Sequence, residues 1–174
     1  MKRIYFAGKF DLSGPGSTLA ERTAPDYRSR LLGDSRLLTY ASKDLMLPGH
    51  NLIYQGCFYC EAASSGDFTS TDCDVVVREE TAQILLADVF LCVLDTDFSV
   101  GSVVELMDAL YAGKRILLFY RNTATHYAIQ SEYWFAITRA MHLAAQRGVQ
   151  LDVVGYDGDP LPLIHEWLDR LEAE

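Results

Sequence analysis

One stretch limits what this chain can become more than any other. Between Asp88 and Asp95 runs an unbroken apolar segment, Val89-Phe90-Leu91-Cys92-Val93-Leu94. Alternating polarity would mark a strand with one wet face. A continuous run of this length instead fits a strand covered on both faces, as in the middle of a parallel sheet. Other segments arrange themselves around it. Residues 2–7 hold Ile4, Tyr5 and Phe6 and stop at Gly8, so they read as a first strand. Residues 51–55 read as a second, residues 88–95 as the third, residues 115–120 as a fourth and residues 151–154 as a fifth.

Helical patterns fill the intervals. Asp26 can cap a helix through Tyr27, Leu31, Leu32, Leu37, Leu38 and Tyr40, with a break at Gly33. Asp74 can start another that carries Val75, Val76, Ile84 and Leu85. A helix from about Ser102 to Ala112 should stop at Gly113. Residues 131–147 are amphipathic and stop at Gly148, and a last helix covers roughly 161–172. Strands that alternate with helices predict a parallel sheet wound by right-handed crossovers, within one domain spanning 1–174. The expected strand order is 2-1-3-4-5. Ligands in such sheets sit at the carboxyl ends of strands, where the order reverses. That point gathers Gly8, Lys9 and Phe10 with residues 95–105. Residues 11–25 and 56–74, rich in Gly, Ser, Pro or Cys, read as long loops, the second an irregular lobe over the cleft.

Composition excludes several classes. The formal charge of -9 repels phosphate backbones, so nucleic acid is not an expected partner, although one local site can still take a small phosphorylated ligand. No run of about 18 apolar residues exists to span a membrane. The apolar part of the N-terminus is too short for a signal peptide. Cys57-Phe58-Tyr59-Cys60 has CxxC spacing, yet only His50 and Cys73 lie near it in sequence. Reduced thiols in a cytoplasmic protein are therefore expected for these three cysteines and Cys92, with no metal and no cofactor.

The segment that carries chemistry is Ser99-Val100-Gly101-Ser102-Val103-Val104-Glu105. A strand ends, a glycine turn follows, and a helix begins. Glu105 would lie in its first turn, where a carboxylate is favoured in its charged form. Such a group can attack an anomeric carbon or stabilise an oxocarbenium-like transition state. Ser102-x-x-Glu105 is equally the pattern of a capping box, a purely local device.

Tyr5-Phe6-Ala7-Gly8, Ala87-Asp88-Val89, and Gly101-x-x-x-Glu105-Leu106 with Ala109, Ala112, Gly113 and Lys114 together resemble the nucleoside 2-deoxyribosyltransferase family. The resemblance covers about residues 3–8 and 78–120. It implies a flavodoxin-like three-layer sandwich and a retaining, two-step displacement. It places the nucleophile on Glu105, the acid on Glu80 and an orienting aromatic on Tyr5. The family has aspartate where this chain has Glu80, which is one methylene longer. Where the transferases carry a base-binding aspartate this chain has Ser99, as in the branch that hydrolyses nucleoside 5'-monophosphates. Asp97 and Asp95 remain alternatives for the missing aspartate. Gly101 suits both branches, because backbone must approach the ligand. The resemblance also implies an even homo-oligomer, with Asn122 and Ser131 candidates for donation to a neighbouring subunit's site.

Weaker candidates surround these. Gln55 can bind a base edge through its amide. Lys9 and Ser17 can meet a phosphate. Glu79 is the fallback for Glu80. His126, His142 and His165 read as structural. Tyr127, Tyr133, Trp134 and Phe135 read as core or subunit contact. Three functions compete: cleavage of a nucleoside or nucleotide N-glycosidic bond, with transfer to a base or to water; cleavage of NAD, without a GxGxxG fingerprint to favour it; and non-catalytic nucleotide binding.

Overall fold

A computed structural model describes residues 1–8, 27–32, 45–56, 70–95 and 100–174. The strands are β1 (Arg3–Ala7), β2 (Leu45–Met46), β3 (Ile53–Gly56), β4 (Val89–Leu94), β5 (Arg115–Arg121) and β6 (Leu151–Tyr156). The helices are α1 (Tyr27–Leu32), α2 (Ser70–Leu86), α3 (Val100–Tyr111), α4 (Trp134–Arg147) and α5 (Leu161–Ala173). One sheet has the order β2-β3-β1-β4-β5-β6. From β3 to β6 every pairing is parallel, which is the expected 2-1-3-4-5 order. The addition is β2, a two-residue antiparallel strand on the edge beside β3. A five-stranded, wholly parallel sheet was expected, so the strand count is corrected to six and the sheet to mixed. A two-residue strand is too short to leave a periodic signal in sequence.

Burial explains the layers. Every residue of β4 is buried. Val89, Leu91 and Val93 join a core with Tyr27, Leu31, Ile164, Trp167 and Leu168, so α1 and α5 cover that face. Phe90, Cys92 and Leu94 join a second core with Ile84, Leu106, Leu110, Ile137 and Leu143, so α2, α3 and α4 cover the other. The result is an α/β three-layer sandwich of the flavodoxin-like kind. Gly148 ends α4 in the left-handed region at φ 65, as its place in the sequence predicts.

Several boundaries move. The second helix starts at Ser70 rather than Asp74, so the lobe expected over 56–74 gives up its last residues to α2. Helix α3 starts at Val100. Helix α4 starts at Trp134 rather than residue 131, because Ser131 turns the chain: its carbonyl accepts from Trp134 N and its hydroxyl from Tyr133 N. The helix expected to run to Tyr40 is described only as Tyr27–Leu32. Lys9, Phe10, Ser17, Cys57, Cys60, Asp97 and Ser99 lie outside the described residues. Among the described residues, no helix is long and apolar enough to cross a membrane.

Candidate active site

Three residues from three elements converge on the face covered by α2 and α3. Tyr5 lies in β1 next to the point where the strand order reverses, and its side chain is fully buried. Its hydroxyl is 2.8 Å from Oε2 of Glu80 on α2 and 2.6 Å from Oε1 of Glu105 on α3. Glu80 is buried and Glu105 half-buried. A hydroxyl owns one hydrogen, so it donates to one carboxylate at a time. Both contacts become hydrogen bonds when one carboxyl brings a proton of its own. The arrangement therefore joins two acids through one exchangeable hydroxyl, 75 and 100 residues away from them in sequence.

The Tyr5 ring is held on both flanks. Phe90 of β4 stacks on it, with centroids 5.5 Å apart and planes 7° from parallel. On the other side passes Gly56 of β3. A Cβ there would sit 2.8 Å from Cε2 of Tyr5 and 2.9 Å from Cδ2, and the glycine has φ +156. Any side chain at this position collides with the ring. Sequence reasoning did not single out Gly56. Its signal, a glycine ending a short apolar segment, marks many strand ends.

The register between β1 and β3 explains how Gly56 comes to be there. Ile4 pairs with Tyr54 but Tyr5 pairs with Gly56, so Gln55 is an extra residue, a bulge. Bulges turn side chains and often lie beside functional sites. Gln55 is buried, and its Oε1 accepts from Nη1 of Arg3 at 2.5 Å. Its Nε2 donates to Oε1 of Gln83, which is also buried on α2, three residues beyond Glu80. Gln55 thus meets protein on both ends of its amide. Arg3 and Gln83, absent from the candidates read from sequence, complete this second polar tier beside the Tyr5 tier.

Glu105 is the sixth residue of α3, not a member of its first turn, and Ser102 lies inside the helix. The capping-box reading is therefore overturned, because a capping serine must precede the helix. The helix-terminus field is correspondingly weaker at Glu105. Burial, and then the negative charge of Glu105, push the Cys92 thiol well up, which keeps this buried cysteine in its thiol form. A Cβ on Gly101 would meet nothing within 4 Å among the described residues, and one on Gly8 would meet Phe6 Cε2 at 3.4 Å. Among the described residues, packing demands a glycine at neither.

Asp95, just beyond β4, accepts from the Tyr27 hydroxyl at 2.9 Å and from Nη1 of Arg121 at 3.0 Å. Burial first, then Asp95, push the Tyr27 phenol up to about 12. Asp95 thus ties α1 and the end of β5 to the carboxyl edge of the sheet. Asn122 donates to Asp157, and Ser131 is buried within its own chain. Tyr127 stacks on Trp134 with Phe135 edge-on, yet Tyr127 and Phe135 are exposed. The core reading is therefore corrected for Tyr127 and Phe135, whereas Tyr133 packs against the second core. His165 meets His50, whose other ring nitrogen faces Glu172 at 3.0 Å.

The sequence matches no protein-family model and no curated protein. Among solved structures, the CMP N-glycosidase BcmB of Clostridium botulinum is similar over 99% of this chain and 98% of its own, with 15% sequence identity and a TM-score of 0.48. At that identity and score the likeness carries no argument about the site.

Proposed function

We propose that the protein cleaves the N-glycosidic bond of a nucleoside or nucleoside 5'-monophosphate by a retaining mechanism. The observation that carries this reading is the single hydroxyl shared by two carboxyls. Oxygens at 2.8 and 2.6 Å from one atom are at most about 5.4 Å apart, which is compatible with the roughly 5–5.5 Å of retaining glycosidases and short of the about 6.5–9.5 Å that inversion needs to admit a water.

In the first step Glu105 attacks C1' of the sugar. The C1'–N bond breaks, its electron pair leaves with the base, and Glu80, or a group that it positions, supplies the proton. Tyr5 holds the Glu105 carboxylate in line for attack. In the second step water or another base attacks C1' of the glycosyl ester, with Glu80 taking the proton, and Glu105 leaves as carboxylate. Gly101, Gly8, Lys9, Phe10, Asp97 and Ser99 are the substrate contacts in this reading, whereas Gln55, buried with both ends of its amide on protein, is not. Ser99 favours a phosphate-bearing substrate. No metal and no cofactor enter.

A screen of nucleosides, 5'-monophosphates and NAD, with released base as the readout, tests the proposal and separates its rivals. Cleavage that disappears in a folded Glu105→Gln variant supports it. Nicotinamide release alone selects NAD cleavage, and tight binding without turnover selects a sensor. The same screen with a second base added separates transfer from hydrolysis.

A further inference from the structure

Beside the tier of Glu80, Tyr5 and Glu105 lies a tier with no role in bond cleavage. Its members are Arg3 of β1, Gln55 of the β3 bulge and Gln83 of α2, joined in that order. Both glutamines are 3% exposed. Apolar side chains would be the default between a sheet and a helix, and burying two amides is costly unless their partners are in place.

The chain of partners has a fixed direction. A guanidinium only donates, so the Gln55 atom that faces Arg3 must be Oε1. The atom that faces Gln83 must then be Nε2, and the Gln83 atom that receives it must be Oε1. Arg3 thereby sets the orientation of both amides, and neither can flip without placing like against like. Gln83 and Glu80 are three apart on α2 and share its inward face, where residues at that spacing are neighbours. What fixes Gln83 against the bulge therefore fixes the height and rotation of α2, and with them the place of Glu80 at the Tyr5 hydroxyl. The bulge serves both tiers, because the extra residue that turns Gln55 inward also brings Gly56 opposite Tyr5.

We infer that Arg3, Gln55 and Gln83 are a positioning relay for Glu80, and that Gln55 acts through Gln83 rather than by reading the base. This rests on the reaction proposed above and replaces the base contact that the sequence suggests for Gln55. Outer partners that orient metal-ligating groups are worth about 10- to 100-fold when removed, and a relay that orients Glu80 should act on the same scale.

The test compares Gln55→Leu, Gln83→Leu and the double variant, with Gln83→Glu as the conservative form that keeps the acceptor facing Gln55. Each single Leu variant should lower kcat about 10- to 100-fold with KM nearly unchanged. The double variant should be no worse than either, and Gln83→Glu should recover most of the loss. If Gln83→Leu does not fold, Gln83→Met carries the comparison. An untouched kcat in the folded Gln83 variants overturns the relay, as does a Gln55→Leu defect confined to KM or to base preference. A second readout does not need turnover. The low-field proton resonance of the Tyr5 hydroxyl, assigned by its loss in Tyr5→Phe, should shift in both Leu variants. If wild-type protein cleaves no substrate but the resonance shifts, the reaction assignment fails and the relay stands. An unshifted resonance removes the relay, whatever the activity.

Discussion

Removing one oxygen, in Tyr5→Phe, perturbs the candidate site most economically. The ring remains, stacked on Phe90 and lodged against Gly56, so packing is nearly conserved. The substitution deletes the contacts of 2.8 and 2.6 Å to Glu80 and Glu105. Hydrogen bonds to a charged group contribute about 1.5–3 kcal/mol each. If Tyr5 serves the attacking carboxylate mainly in the transition state, losing one such bond lowers kcat by roughly 10- to 150-fold, since about 1.4 kcal/mol is tenfold. The second contact acts on the folded state. Glu80 is 6% exposed, and a buried group deprived of a partner costs about 1–3 kcal/mol of stability. Single-turnover kinetics on whichever nucleotide proves to be cleaved, together with urea unfolding, measure both. A Tyr5→Phe protein with wild-type kcat would refute the claim that the hydroxyl joins the two acids for catalysis. A loss of stability without loss of rate would make it a core hydrogen bond and nothing more.

Gly56→Ala should cost more than Tyr5→Phe in rate, because the new methyl must displace the Tyr5 ring; the kcat of the folded variant and a structure of it check this. Leu91→Ala, in the middle of β4 and fully buried, should destabilise the fold by about 2–5 kcal/mol in urea titrations while leaving the site's chemistry intact. Tyr27 is held protonated up to about 12, above its ordinary 10.0. The unfolded chain loses this proton first, so stability should fall as pH rises from about 10 through 12, and Tyr27→Phe should flatten that fall in alkaline unfolding curves. Asp159 moves the other way. Its bond to Arg30 holds its carboxyl below 3.8, so its contribution is present at neutral pH and lost on acidification. Both partners are over a third exposed, so a double-mutant cycle should give only about 0.2–1 kcal/mol, and less in high salt.

How far the sequence reaches depends on the range of the physics involved. The unbroken apolarity of β4 is a local property with one simple solution, two covered faces in a parallel sheet, and β4 lies so between β1 and β5; the order of the strands is not a local property and was not derivable from it. Gly148 ended a helix as its residue type dictates. Glu105, Glu80 and Tyr5 are nameable as a set through resemblance, and folding brings both carboxyls to the Tyr5 hydroxyl. What stayed hidden was relational. The bulge at Gln55 exists only against the register of β1, and no local pattern encodes a register slip. Without it Gly56 is one more strand-end glycine, and Arg3 and Gln83 are one more surface-type cation and amide. Ser102-x-x-Glu105 misled for a related reason. The motif is defined by its distance from the helix start, and α3 starts two residues before Ser102.

The most direct test is to catch the bond that Glu105 is proposed to form. A 2-fluoro sugar analogue of the cleaved substrate, or rapid acid quench of a single turnover, should give a protein heavier by one glycosyl unit. Peptide mapping should place that mass on Glu105, and Glu105→Gln should remain unlabelled. Base released at full rate with no adduct, or with the sugar on another residue, would contradict the account at its centre.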